Sequence, residues 1–289
     1  MQSTLTRKIE HSVDLIQRAE KLALKMSPDG FHLAFSGGKD SLVLYHIAKM
    51  AGVKFKAQMQ VTSIDYPELM AFVRKNYPNV VLLRPAQNFF QLLEKSHMMP
   101  RQKARWCCAK LKEIAGVGSV TLTGVRAAES IRRSKRGEVE RASVNKDRRK
   151  QYDEDAQEVL FGVDSEKLHQ CVKGSDRIVI SPLFNWTDAD VWDFIRSNNL
   201  EYCRLYDEGF TRVGCLFCPM ATRKEKQRQR LRYPGFERAF KRSIQRMIDE
   251  HGFGREFNAT ADELFDWYLS NLSMTEFFGT LRGQTKLEF

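Results

Sequence analysis

No apolar stretch in the sequence approaches the ~18 residues that a membrane span requires. Residues 1–19 mix Arg7, Lys8, Glu10, Asp14 and Arg18 among their apolar positions, so the apolar core of a secretory signal is missing as well. Together these absences lead us to expect a cytoplasmic protein without a membrane partner. With 8 Pro and 17 Gly among 289 residues, the chain is neither collagen-like nor a Pro/Gly-rich disordered polymer, and no repeat recurs at a fixed period. The six histidines, His11, His32, His46, His97, His169 and His251, show no metal-ligand spacing. A Walker A loop, G-x-x-x-x-G-K-S/T, is absent, and no cysteine follows Cys218.

What the chain does contain is ordinary globular material, 42% hydrophobic and 29% charged, in a length that suits one large or two modest domains. Its formal net charge of +11 is unevenly spread, because Arg132–Lys150 and Pro219–Glu250 carry +6 each. Such clusters are the footprint expected of a surface that neutralises phosphates on a polyanion; a solvated basic face is the competing reading. Cysteines occupy positions 107, 108, 171, 203, 215 and 218. In a large chain without a secretory signal, thiols point to metal binding or catalysis rather than to a disulfide framework. Cys215-Leu-Phe-Cys218 has the spacing that lets two thiolates converge on one metal or cluster, and the adjacent Cys107 and Cys108 form a second pair.

Periodicity predicts an amphipathic helix over residues 3–27, carried by Leu5, Ile9, Val13, Ile16, Ala19, Leu22 and Leu24 and ended by Ser27-Pro28-Asp29-Gly30. Short apolar strands are expected at Phe31–Phe35, Phe55–Val61, Val80–Leu83, Val120–Thr123 and Ile178–Ile180, alternating with helical stretches. That alternation implies an α/β fold with a doubly wound, mostly parallel five-stranded sheet. Residues 134–176, polar and poor in aromatics, read as an insertion. Thr187 and its following acids mark a helix start; 222–251 is helical and basic; 260–281 holds one or two short helices. The expected division is an α/β nucleotide-binding domain over 1–225 and a basic helical extension over 226–289.

The strongest local signal is Ser36-Gly37-Gly38-Lys39-Asp40-Ser41 between a strand and a helix. Two glycines let backbone amides approach an anion, the helix N-terminus adds its dipole, and serine hydroxyls can donate to phosphate oxygens. A plain glycine turn is the alternative, and Lys39 reads equally as a solvated side chain. Arg126 falls just beyond the fourth strand, where open α/β sheets gather ligands, and its planar fork suits phosphate. Glu129 either orients Arg126 or Arg133 or is a helix-start acid, while Arg132, Lys135 and Arg136 extend the positive rim. Tyr233, Phe236 and Phe240 interleave with Arg230, Arg232, Arg238, Lys241 and Arg242, a mixture that fits either nucleic-acid stacking or a buried stripe. Cys171 and Cys203 match no motif.

Several segments together resemble the phosphoadenosine phosphosulfate (PAPS) reductase branch of the PP-loop, or adenine nucleotide alpha-hydrolase, superfamily. They are the loop 36–41, Trp106-Cys107-Cys108-Ala109-Lys110-Leu111-Lys112, Gly124–Ser130 with Arg133, Ser181-Pro182-Leu183 to Trp186-Thr187 with Asp190-Val191-Trp192, and Gly214-Cys215 to Cys218-Pro219. The resemblance implies that Ser36, Gly37, Gly38, Asp40 and Ser41 hold the pyrophosphate of ATP, with Arg126, Glu129 and Arg133 beside them. It makes Asp40, Arg126 and Lys39 the catalytic group and calls for magnesium. It implies a 4Fe-4S cluster on Cys107, Cys108, Cys215 and Cys218, with zinc the competing metal and with Arg105 and Lys110 easing thiol ionisation. Reductases of this family are expected to carry a catalytic cysteine in a C-terminal tail, which this sequence lacks. The resemblance therefore favours an iron-sulfur ATP pyrophosphatase that adenylates an acceptor oxygen for sulfur incorporation, as in DNA phosphorothioation or tRNA thiolation, with a cysteine desulfurase as partner. The alternatives are a PAPS or adenylyl-sulfate reductase using a borrowed nucleophile, and a non-enzymatic nucleic-acid-binding module.

Overall fold

The computed structural model describes residues 4–142 and 177–283. Six strands, β1 (Phe31–Phe35), β2 (Phe55–Gln60), β3 (Val81–Leu83), β4 (Val120–Leu122), β5 (Val139–Ala142) and β6 (Arg177–Ile180), pair in the order β3-β2-β1-β4-β6-β5. All neighbours are parallel except β5, which runs antiparallel to β6 with Val139 opposite Ile180. The α/β architecture is the expected one, with one strand more than the five read from the sequence. The extra strand comes from the segment read as insertion. Its sequence, Val139-Glu140-Arg141-Ala142, contains one large apolar residue, Val139, so neither an apolar run nor a clean alternation announces it. Cys171 and most of the insertion, residues 143–176, lie outside the described residues.

The described chain forms two compact units, each assembled from several segments. The first comprises residues 1–60, 67–83 and 114–213 and contains the sheet. Its helices are α1 (Thr4–Met26), α2 (Lys39–Met50) and α3 (Pro67–Asn76), followed later in the chain by α6 (Ile131–Ser134) and α7 (Asp188–Ser197). Phe31, Leu33, Val120, Leu122 and Ile180 of the sheet are buried, as are Leu42, Leu44 and Ile47 of α2 and Leu15, Ile16 and Ala19 of α1; α1 packs on β1 and β4, and α2 on β1. On α1 the buried stripe is Leu15, Ile16, Ala19, Leu22 and Ala23; Leu24, assigned to it by periodicity, is exposed. Ser12 ties α1 to the loop after β6: its hydroxyl lies 2.6 Å from the Pro182 carbonyl and accepts the Trp186 indole N–H at 3.1 Å.

The second unit comprises residues 61–66, 84–113 and 214–289. It holds α4 (Phe89–Glu94), α5 (Trp106–Leu111), α8 (Arg223–Arg232), α9 (Pro234–His251), α10 (Ala261–Ser270) and α11 (Met274–Leu281). The basic stretch expected as one helix breaks at Tyr233-Pro234, since a residue before proline is pushed out of the helical region; Tyr233 has φ −124° and ψ 59°. The core is aromatic: Phe240 meets Phe89, Phe217 and Phe265 with ring centroids 5.1–5.8 Å apart. Among the described residues no helix is long and apolar enough to cross a membrane.

Candidate functional site

In the sheet unit the strand order turns back on itself between β1 and β4, so the carboxyl ends of these two strands flank a crevice of the kind where open α/β sheets bind ligands. The loop 36–41 leaves β1 there and 124–129 leaves β4. Gly37 adopts φ +72°, a conformation that favours glycine, and a Cβ on it would come within 2.7 Å of the Leu69 and Val73 side-chain methyls, which would have to shift. Ser41 Oγ donates to the Gly38 carbonyl at 2.9 Å and accepts the Ser36 N–H at 3.1 Å, closing the turn on itself. The two serine hydroxyls are 3.1 Å apart. Gly38, the N-cap of α2, offers no side chain to the helix end, and the Lys39 N–H donates to Tyr206 Oη at 3.0 Å. An anion here would meet the positive end of a twelve-residue helix.

Four charged side chains converge beside this loop. Arg126 donates from Nε to Asp40 Oδ1 at 2.6 Å, from Nη2 to Asp188 Oδ1 at 2.9 Å, and from Nη1 to the Trp186 carbonyl at 3.4 Å. Lys39 Nζ reaches the same Asp188 Oδ1 at 2.8 Å and Asp40 Oδ2 at 3.3 Å. Lys39 is thus buried, not solvated, and Arg126 holds two carboxylates rather than presenting an open fork. The outlying member is Asp188, whose side chain is 63% exposed against 8% for Lys39 and 4% for Arg126. Burial raises the Asp188 carboxyl, but Lys39 and Arg126 outweigh it and hold the group below the ordinary carboxylate range. Glu129 accepts the Arg126 backbone N–H at 3.2 Å and pairs with Arg133, so it shapes the backbone at Arg126 without touching its guanidinium.

Of the residues predicted for this site, Lys39, Asp40 and Arg126 share one network, Ser36, Gly37, Gly38 and Ser41 form the turn, and Glu129 and Arg133 make a separate pair. Sequence reasoning missed two members. Asp188 was explained as a first-turn acid behind the Thr187 cap, and Tyr206 carries no motif. Nothing in the sequence singled Asp188 out: only the fold shows that Asp190 completes the capping box and pairs with Lys8, which leaves Asp188 available to Lys39 and Arg126.

The four cysteines of the two pairs lie in the helical unit, Cys107 and Cys108 in α5, Cys215 and Cys218 before α8. All are unbridged. Cys107 donates a hydrogen bond to Cys108; this, with burial and the charges of Cys108, Cys215 and Cys218, pushes the Cys107 thiol up. The same hydrogen bond, opposed by burial and helped by Lys112 and Arg105, brings Cys108 down to about 6. Burial raises Cys215, against the pull of Lys112 and of Thr62, whose Oγ1 is 3.4 Å from the sulfur. Lys112, although exposed, is the lysine that acts on the thiols where Lys110 was expected; Lys110 instead lies over the Trp106 ring at 5.9 Å. Four thiols in one unit, with Cys107 facing the charges of the other three, are the donor type a thiolate-bound metal needs, but no three His, Cys, Asp or Glu side chains among the described residues stand at metal-holding geometry. Cys203 is buried beside Leu205 in the other unit.

The basic helices are less open than their composition suggests. Arg230 pairs with Glu237 and Asp266, Lys241 with Glu237 and Asp262, and Phe240 is core. Arg223, Lys224, Arg238 and Arg242 stay exposed.

The profile of the phosphoadenosine phosphosulfate reductase domain matches residues 30–221, from the first strand to the C-x-x-C loop. The chain belongs to that family. Similarity to curated proteins is distant: an uncharacterized protein of Methanocaldococcus jannaschii is 28% identical over 76% of this chain and 51% of its own length. The adenosine 5'-phosphosulfate reductase of Oceanobacillus iheyensis is 26% identical over 54% of this chain and 51% of its own. The chain spans about half the length of these curated relatives. Among solved structures, the U34-tRNA thiolase NcsA of Methanococcus maripaludis with its 4Fe-4S cluster aligns at TM-score 0.39 and 15% identity, covering 84% of this chain and 80% of that one.

Proposed function

We propose that this PAPS reductase-family protein is an ATP pyrophosphatase-type enzyme that adenylates an acceptor oxygen, most simply one on a nucleic acid, so that sulfur can replace it. The observation that carries the reading is the glycine turn 36–41 at the carboxyl end of β1 with two buried cations, Lys39 and Arg126, at its side. Buried cations at a helix N-terminus are worth most where charge builds up on a leaving pyrophosphate.

In this reading the backbone of 36–41 cradles the β- and γ-phosphates, while Lys39 and Arg126 steady the bridging side. An acceptor oxygen attacks the α-phosphorus of ATP; the new O–P bond forms as the bond to the bridging oxygen breaks and pyrophosphate leaves. A sulfur nucleophile then takes the place of the adenylated oxygen, and AMP departs. Asp40 keeps the Arg126 fork oriented through Nε. Magnesium, when bound, would offset charge on the leaving group. A 4Fe-4S cluster on Cys107, Cys108, Cys215 and Cys218 would supply a sulfur relay or a brace, and zinc on the same thiolates only a brace. Exposed Arg223, Lys224, Arg238 and Arg242 support docking of DNA or tRNA, and a cysteine desulfurase is the sulfur source that fits.

The test is product analysis. Incubation with ATP and magnesium plus DNA or tRNA should release AMP and pyrophosphate, and Arg126→Gln should slow this about a hundredfold. Sulfite release from adenylyl sulfate or PAPS, with ATP untouched, would transfer the site to a reductase. Retained function in a Ser36/Gly37/Asp40 variant would favour a binding module.

A further inference from the structure

We infer that Asp188 is a built-in competitor for phosphate: its carboxylate occupies the place of a nucleotide phosphate oxygen and leaves when the ligand arrives. This deepens the nucleotide reading above and rests on it. A single oxygen, Asp188 Oδ1, accepts from both Lys39 Nζ at 2.8 Å and Arg126 Nη2 at 2.9 Å. One oxygen shared between an ammonium and a guanidinium is the contact expected of a phosphate oxygen in a Lys/Arg clamp. Asp40 holds the same two cations differently, dividing its oxygens between them from within the loop's own helix. It is the anchor, and Asp188 is the cap.

Exposure separates these roles. Lys39 and Arg126 are almost wholly covered, whereas Asp188 stands open to solvent at the first position of α7. The four groups sum to zero charge, so the site is compensated without ligand. Exchanging one anion for another keeps both buried cations paired, whereas an added phosphate with Asp188 in place would set two anions against each other. The capping of α7 survives the exchange, because Thr187 and Asp190 cap that helix without Asp188. Because Asp188 is mostly solvent-exposed, its displacement costs little, and an effect of about fivefold in affinity is expected, equivalent to about 1 kcal/mol.

The experiment is calorimetric titration of the full chain with inorganic pyrophosphate, without magnesium, comparing wild type, Asp188→Asn and Asp190→Asn. Asp188→Asn should bind about fivefold more tightly than wild type, and Asp190→Asn, altered in the same turn but facing Lys8, should bind as wild type does. A positioning role for Asp188 predicts the opposite sign, so equal or weaker binding by Asp188→Asn overturns the inference and leaves the nucleotide seat standing. Absence of pyrophosphate and ATP binding in every protein overturns the seat and the competitor with it. Should the variant fold poorly, a crystal structure of the wild type with pyrophosphate decides: Asp188 withdrawn from Arg126 supports the competitor, and Asp188 still bound to it refutes it.

Discussion

Lys226 sits in a run of basic residues, yet it is buried, donating to the Tyr268 carbonyl at 3.1 Å and to Asn271 Oδ1 at 2.6 Å. Burial, opposed by the charge of Cys218, brings its ammonium down to about 8 from an ordinary 10.5. Between these values the unfolded chain holds a proton that the folded chain has released, so this group makes the fold more stable as pH rises through that window. The unfolding free energy of wild type relative to Lys226→Met should therefore climb between pH 8 and 10, by at most about 1.4 kcal/mol per pH unit, in urea melts at several pH values. At the candidate site the loop residues and Arg126 were legible because glycines and a basic fork carry their chemistry in their type. Asp188 was not, since one acid behind a capping threonine has a sufficient local explanation. Neither was the burial of Lys39, which depends on Tyr206 and α7, far away in sequence.

The turn between Cys215 and Cys218 is held by elements that follow it in the chain. Phe217 adopts φ +51°, uncommon for a side chain of that bulk, and both polar groups of its backbone are engaged. Gln229 Oε1 on α8 accepts the Phe217 N–H at 2.6 Å, and Tyr268 Oη on α10 donates to its carbonyl at 2.6 Å. The ring is packed on Phe240 and Phe265. Tyr268→Phe should cost about 1–3 kcal/mol, because it leaves a buried carbonyl without its donor. Phe217→Ala should cost about 3–5 kcal/mol, with the cavity outweighing the eased backbone. Both are measurable by denaturant unfolding, and both should hasten alkylation of Cys215 and Cys218. Elements with a strong apolar pattern, such as α1 and β1, were legible almost to the residue. A short charged edge strand like β5 was not, because its partner β6 and not its composition places it in the sheet.

Across the molecule, charge and cysteine content were legible as totals, but their distribution needed the fold. Of the basic residues in 223–246, several are spent on Glu237, Asp262 and Asp266, while Arg223, Lys224, Arg238 and Arg242 stay exposed on α8 and α9. Reversing Arg238 and Arg242 to Glu should weaken binding to DNA or tRNA and reduce the slope of log affinity against log salt by roughly 2 units, as read by fluorescence anisotropy. Anaerobically purified protein should contain iron rather than zinc, and serine at Cys107, Cys108, Cys215 or Cys218 should lower that content. The backbone passes between the two compact units five times, at 60/61, 66/67, 83/84, 113/114 and 213/214. Cutting the gene at any single codon therefore severs a set of partners on both sides of the cut. The thiol-bearing half cannot be excised as a contiguous fragment, and isolating it would take a rearranged gene that splices three stretches of chain.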